Sequence, residues 1–207
     1  MTALAARGIR KSFGRREVLA GLDLEIKGGE MVAIVGENGS GKTTLLRILA
    51  GDLRPDEGSV VIQGRPGYCP QAATLDDALT VDQHVRYFQA AYGIGSQGRA
   101  RELIERLGYS ACRGALTGTL SGGTRQKLSL TLALMHDPPV LLLDEPYQGF
   151  DWQTYLAFWD LTDELRAMGT ATVVISHLVF EQERFDRICH LKDGGIEEEA
   201  SRHAPAA

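Results

Sequence analysis

The residues with the clearest chemistry form the run Gly36-Glu37-Asn38-Gly39-Ser40-Gly41-Lys42-Thr43. It matches G-x-x-x-x-G-K-[ST] and stands between a short apolar stretch, Met31 to Val35, and a helical pattern that opens at Lys42. Glycines let the backbone approach a polyphosphate and turn several N–H groups inward. The helix that follows presents the positive end of its dipole to the same anion. Lys42 adds a mobile charge for the β- and γ-phosphates, and Thr43 offers a hydroxyl to Mg2+. A second constellation is Val140-Leu141-Leu142-Leu143, an apolar run ending in Asp144-Glu145. A carboxylate at the C-terminal end of a parallel strand lies beside such a loop. Asp144 is expected to hold Mg2+ through water, and Glu145, one residue on, to poise an attacking water as general base. An isolated Asp-Glu is ordinarily a strand ending in two solvated acids. Behind a phosphate loop, in this order, the pair reads as nucleotide chemistry.

The elements able to position these groups follow from periodicity. Leu4 to Ile9 and Val18 to Ile26 read as strands, the second alternating at Leu22, Leu24 and Ile26. Met31 to Val35 is a short apolar strand, Lys42 to Ala50 a helix stopped by Gly51, and Ser59 to Ile62 another strand. From Val81 to about Leu107 the pattern is helical, broken near Gly93 to Gly98, with no strand signal. Then the α/β rhythm returns: a helix from about Gly123 to Leu134, strand Val140 to Leu143, helix Trp152 to Met168, strand Thr172 to Ser176. A last strand, Arg187 to Lys192, meets Ile196 across Asp-Gly-Gly. Strands alternating with helices imply a largely parallel sheet covered on both faces, with a helical lobe inserted in it. The tail after Glu199 is expected to fray.

Composition narrows the class. The chain has 207 residues, 43% apolar and 24% charged, which suits one globular domain. Its longest apolar run, around Val140 to Leu143, falls far short of the roughly 20 residues a membrane helix needs. Met1 to Arg10 has no apolar core of the kind a secretory signal carries. A net charge of −5 disfavours a protein that grips nucleic-acid backbone, so no nucleic-acid partner is expected. Cys69, Cys112 and Cys189 are odd in number and far apart, and read as reduced thiols rather than a disulfide framework or zinc site.

With these elements in place the chain resembles the ABC (ATP-binding cassette) ATPases over nearly its whole length. Leu120-Ser121-Gly122-Gly123-Thr124 is similar to the family's signature loop, and Tyr68-Cys69-Pro70-Gln71 to its glutamine loop. Gly149-Phe150-Asp151 resembles the D-loop, Val174-Ile175-Ser176-His177 the switch-histidine strand, and Lys11-Ser12-Phe13-Gly14 the aromatic loop that stacks on adenine. Each has a plainer reading: a helix N-cap for Ser121, a core or edge aromatic for Phe13, a strand-end histidine for His177, a polar loop residue for Gln71. Their order along one chain favours the family reading.

The resemblance implies a P-loop NTPase fold: an α/β core with a mostly parallel sheet, an antiparallel β subdomain, and a helical subdomain at about 76–135, all in one domain, 1–207. It implies ATP and Mg2+ as cofactors. Nucleotide contacts are expected from Phe13, Gly36, Glu37, Asn38, Gly39, Ser40, Gly41, Lys42, Thr43 and Thr44, and also from Ser121, Gly122, Gly123 and Asp151. Ser121 and the Gly123 N–H would reach the γ-phosphate held by a second ABC ATPase subunit, in a homodimer or heterodimer. Thr43, Gln71 and Asp144 are expected at the metal, and Glu145, His177, Gln71 and Lys42 in catalysis.

The expected role is the ATP-hydrolysing motor of a transporter, working on a separate transmembrane permease at the cytoplasmic face of the membrane. Export is the favoured direction, by analogy with compact drug-efflux motors. A non-transport relative acting on ribosomes or DNA is the alternative; such proteins usually carry two ATPase domains with a charged linker, or a long coiled coil, and neither is found here. A small-molecule P-loop kinase conflicts with the signature loop and His177. Tyr87, Phe88 and Tyr92 are candidates for a docking surface on the helical lobe, against the plainer reading of core residues. The chain departs from the family at Thr124, where glutamine is usual, at Tyr147, Phe150 and Trp152, and in the short stretch Gly64 to Tyr68.

Overall fold

A computed structural model describes residues 1–176 and 182–199. The chain opens with two long strands, β1 (Thr2–Phe13) and β2 (Arg16–Lys27), paired antiparallel across the tight turn Gly14-Arg15 so that Phe13 faces Arg16. Their alternation puts Leu4, Ala6 and Ile9 of β1 and Leu22, Leu24 and Ile26 of β2 on one buried face. β4 (Glu57–Ile62) pairs with the other edge of β1, completing a three-stranded antiparallel sheet in the order β2-β1-β4.

The second sheet holds β3 (Met31–Val35), β5 (Gly67–Cys69), β6 (Val140–Asp144), β7 (Ala171–Ile175), β8 (Arg187–Lys192) and β9 (Gly195–Glu199) in the order β5-β6-β7-β3-β8-β9. All its pairings are parallel except the last, where β9 returns antiparallel along β8 through Asp193-Gly194. β6 and β7 are buried at every position, which explains their unbroken apolar runs. Parallel pairing brings the C-terminal ends of β3 and β6 to one edge, separated by β7. There the two chemical constellations meet.

Among the described residues five α-helices complete the fold: α1 (Lys42–Leu49), α2 (Val81–Tyr92), α3 (Gly98–Arg106), α4 (Gly122–Leu134) and α5 (Trp152–Ala167). One hydrophobic cluster joins α1 and the antiparallel sheet to one face of the main sheet; another joins α2 to α5 to the opposite face. α2 starts at a capping box, with Thr80 Oγ1 accepting from Gln83 N and the Gln83 side chain accepting from Thr80 N, and ends at Gly93. α4 is buried continuously from Gln126 to Leu134, so it threads the interior.

The hairpin strands run longer than the apolar alternation alone marks, and β5 was not expected as a strand. Three residues carry no readable period, yet β5 extends the sheet beside β6 and fixes where Pro70 and Gln71 follow. Among the described residues no helix is long and apolar enough to cross a membrane. Cys69 and Cys189 are buried free thiols whose pKa values burial raises to about 12 and about 11; Cys112 is free and half-buried. Phe158 of α5 is fully buried against Tyr147, Phe150 and Trp159, ring to ring. Phe158→Ala is therefore expected to cost about 3–5 kcal/mol of unfolding free energy, read as a lower midpoint in urea denaturation. An unchanged midpoint would remove this aromatic group from the core.

Candidate nucleotide site

The site starts at Gly41, which caps α1 with φ +107°; a Cβ there would lie 2.7 Å from Val18 Cγ1. Glycine is thus what lets the phosphate loop close against β2. Inside the loop, the Lys42 ammonium donates to the carbonyls of Gly36 (2.7 Å) and Glu37 (2.9 Å). Lys42 is buried, and that burial lowers its pKa; the carboxylates of Glu145 and Asp144 oppose the shift by favouring the charged form. Thr43 Oγ1 donates to Asp144 Oδ2 at 2.8 Å, joining the loop to the end of β6. Asp144 is 1% exposed. A hydroxyl and a carboxylate held this close are hard oxygen donors suited to Mg2+.

Glu145 follows in a left-handed backbone conformation, φ +47°, with its N–H donating to Ile175 O at 3.0 Å. Its side chain meets the loop after β5, where Gln71 Nε2 donates to Glu145 Oε2 at 3.0 Å. Lys42, Thr43, Thr44, Gln71, Asp144 and Glu145 share a cavity of about 340 Å³ with Asn38, Gly39 and Gly41. That volume falls in the range of small-molecule sites, roughly 300–1,000 Å³. Phe13 lies at its rim, 53% exposed, with Lys11 Nζ 5.7 Å from its ring centroid. An exposed ring beside a phosphate loop can stack on a base. Gly36, Glu37 and Ser40 line an adjoining cavity on the other side of the loop, next to His190 and Lys192.

The remaining predicted residues gather elsewhere. Ser121 caps α4: its Oγ accepts from Thr124 N (3.2 Å) and contacts Thr124 Oγ1 (2.9 Å). A Cβ on Gly123 would lie 2.3 Å from Gly149 O, so the Ser121-Gly122-Gly123 loop and the Gly149-Phe150-Asp151 loop touch backbone to backbone. Asp151 caps α5 through Thr154 N (2.8 Å) and Thr154 Oγ1 (2.9 Å), and receives Lys127 Nζ at 3.3 Å. The two bonds from Thr154, helped by Lys127, hold its carboxyl down at about 2. Ser121, Gly122, Gly123 and Asp151 are not among the residues lining the cavity. His177 lies outside the described residues.

Sequence reasoning missed Arg16. Its Nη2 donates to Gly39 O at 2.8 Å, and it lines both cavities, placing a guanidinium at the entrance to the phosphate loop. Strand alternation puts Arg16 on the face opposite buried Leu19, but nothing local tells which loop that face meets.

A family model described as ABC transporter matches residues 19–148, well over half the chain. The chain belongs to the ABC transporter family. ABC ATP-binding subunits hydrolyse ATP, and this membership makes the chain an ATPase. The chain is 34% identical to the Nod factor export ATP-binding protein I of Burkholderia lata, over 96% of this chain and 70% of that one. With the aliphatic sulfonates import ATP-binding protein SsuB of Corynebacterium glutamicum it shares 39% identity, over 94% and 82%. It is also 32% identical to ABC transporter G family member 20 of Dictyostelium discoideum, but spans 29% of that relative's length. Among solved structures it superposes on the dimeric structure of MJ0796, a bacterial ABC transporter cassette, with TM-score 0.87, 27% identity and coverage of 97% of this chain and 100% of that one.

Within this ABC chain, Asp151 provides a clean electrostatic test. A carboxyl whose pKa is lowered on folding adds stability that is complete above its unfolded value, near 4, and is lost as pH falls through the folded value, about 2. Asp151→Asn keeps an acceptor for the helix but removes the charge. Its Tm should lie below the parent's at pH 7, with the gap narrowing from about pH 5 toward pH 2. A gap independent of pH would show that the charge contributes nothing.

Proposed function

We propose that this chain is the ATP-hydrolysing subunit of a transporter whose membrane-spanning part is a separate chain, and that it works in pairs. In this reading ATP lies between the phosphate loop of one subunit and the signature loop of the other. The observation that carries it is the division of the site. Lys42, Thr43, Asp144, Glu145 and Gln71 share one cavity, while Ser121 and Gly123 stand apart on a loop braced against Gly149. The match to a cassette structure described as dimeric supports the pairing.

The chain's own residues then act as follows. The adenine stacks on Phe13. The β- and γ-phosphates displace the two loop carbonyls as partners of Lys42, which exchanges weak dipoles for full charges. Thr43 and Asp144 would hold Mg2+, which would supply positive charge to offset that of the phosphates. Glu145 accepts a proton from the water whose oxygen attacks the γ-phosphorus, as the bond from that phosphorus to the bridging oxygen breaks and ADP leaves. Gln71 Nε2 engages the same carboxylate, so the glutamine loop registers whether Glu145 has water or Gln71 as its partner. His177 binds the γ-phosphate in this scheme, and Ser121, Gly122 and Gly123 reach the γ-phosphate of the opposite subunit. Asp151 shapes that surface by capping α5.

Engagement of a permease would hold the chain at the inner face of the membrane. Of the three aromatic docking candidates, Tyr87 is 65% exposed, while Phe88 and Tyr92 are half-buried and packed on the core. Core packing is the better account of those two. Relatives named for export and for import match at similar identity, so the proposal names a transport motor and carries the direction no further.

Glu145→Gln should bind ATP with a Kd close to the parent's while hydrolysing it roughly 10²–10⁴-fold more slowly. Parental hydrolysis would remove Glu145 from the general-base role. In light scattering, the same variant should be a monomer with ADP and a dimer with ATP, because the γ-phosphate carries the charge that two helix N-termini can share. Absence of an ATP-dependent dimer, alone and with the permease present, would overturn the shared site for two copies of this chain.

A further inference from the structure

Tyr147 lies two residues beyond Glu145. Its hydroxyl donates to Ser176 Oγ at 2.6 Å. Its ring packs against Tyr155, Phe158 and Trp159, with centroids 5.6, 5.9 and 6.0 Å away. Ser176 is buried and directly follows Ile175, whose carbonyl accepts the Glu145 N–H. Two consecutive residues at the end of β7 thus hold the Glu145-Pro146-Tyr147 turn at both ends. Ser176 N in turn donates to Ile34 O at 3.4 Å, on the strand that leads into the phosphate loop.

The turn needs such a hold. Glu145 adopts φ +47°, which is costly for a residue with a side chain and persists only where the surroundings over-determine it. A general base must also stay within hydrogen-bond reach of its water. A tyrosine has two side-chain torsions, and here three aromatic rings fix both, so its hydroxyl is carried to one point. From this geometry we infer that Tyr147 is a positioning residue for Glu145. Through its hydroxyl on Ser176 it fixes the turn that aims the Glu145 carboxylate into the nucleotide cavity. The inference rests on Glu145 acting as the general base. A purely structural role would have the hydroxyl satisfy a buried partner, with equal consequences for folding and for every property of the site.

The two roles separate experimentally. Tyr147→Phe keeps the ring and removes the hydroxyl; Ser176→Ala removes the acceptor and keeps Tyr147. In the whole chain, single-turnover hydrolysis at saturating ATP in Mg2+ buffer should slow three- to tenfold, in order of magnitude, in each variant. The Kd for ATP should stay within about twofold of the parent's, as expected when the defect lies in the transition state. The double variant should lose less than the product of the two single losses, because both remove the Tyr147–Ser176 bond. In a Glu145→Gln background, Tyr147→Phe should slow the residual reaction no further. Parental hydrolysis by Tyr147→Phe, losses that multiply in the double variant, or a rise in Kd equal to the fall in rate would each overturn the proposal. If Glu145→Gln is slow and Tyr147→Phe is fast, the positioning role fails and the general base stands. If Glu145→Gln hydrolyses at the parental rate, both fail.

Discussion

A buried ammonium holds this structure's site together. Lys42 sits beneath the phosphate loop with its charge on two backbone carbonyls, and the carboxylates of Asp144 and Glu145 stabilise it from across the cavity. Burying a charge is expensive unless it is hydrogen-bonded and paired. The arrangement is therefore stable only where a loop of carbonyls and a strand end of carboxylates are brought to the same point. The parallel sheet does this. β3 delivers the loop, β6 delivers the acids, and β7 between them sets the spacing, with its last residues bonded to both neighbours. Lys42 has only the weak dipoles of two carbonyls as hydrogen-bond acceptors, while Thr43 and Asp144 are already hydrogen-bonded to each other.

The rest of the molecule supports that point from both sides. The antiparallel hairpin closes over the loop through Val18 and Arg16, and its turn leaves Phe13 exposed at the rim. On the other face, α4 runs through the interior to the loop ahead of β6. Gln126 of α4 donates to Pro70 O at 3.4 Å and approaches Cys69 Sγ at 3.5 Å, so the helix behind the signature loop also steadies the residues just before Gln71. These bonds are long, and the buried surroundings give them their weight. Gln71, Glu145 and the signature helix are thus mechanically close, although they are spread from residue 71 to residue 145 in the sequence.

The sequence carried what is local. A phosphate loop between a strand and a helix, an apolar run ending in two acids, and the helix-capping reading of Ser121 all depend on neighbours in the chain, and each lies where the pattern placed it. The order of strands was not legible, because β3 sits between β7 and β8, far along the chain. β5 was too short to show a period. Arg16 was invisible because its partner, Gly39, is a backbone carbonyl that any residue would provide. Tyr147 stood out as a departure, but its contact with Ser176 depends on the pairing of β6 with β7. Phe88 and Tyr92 have helix spacing, which does not distinguish a core face from a docking face; the neighbouring α4 and the loop at His136 decide it by covering them.

The division of the site also constrains how its two halves communicate. Glu145 and Gly149 are four residues apart in one tight segment, closed by bonds from Gln148 N to Glu145 O and from Phe150 N to Tyr147 O. At one end the segment places a carboxylate in the nucleotide cavity; at the other, the Gly149 carbonyl rests on Gly123 with no room for a methyl group between them. Close packing leaves such a contact little freedom to absorb movement. A displacement of the turn at Glu145 therefore has two outlets. It either strains the left-handed backbone and the Tyr147–Ser176 bond, or it passes to the wall behind the signature loop. The aromatic packing around Tyr147 resists the first outlet. In this chain the residues that set the position of Glu145 and those that brace the signature loop form one continuous support.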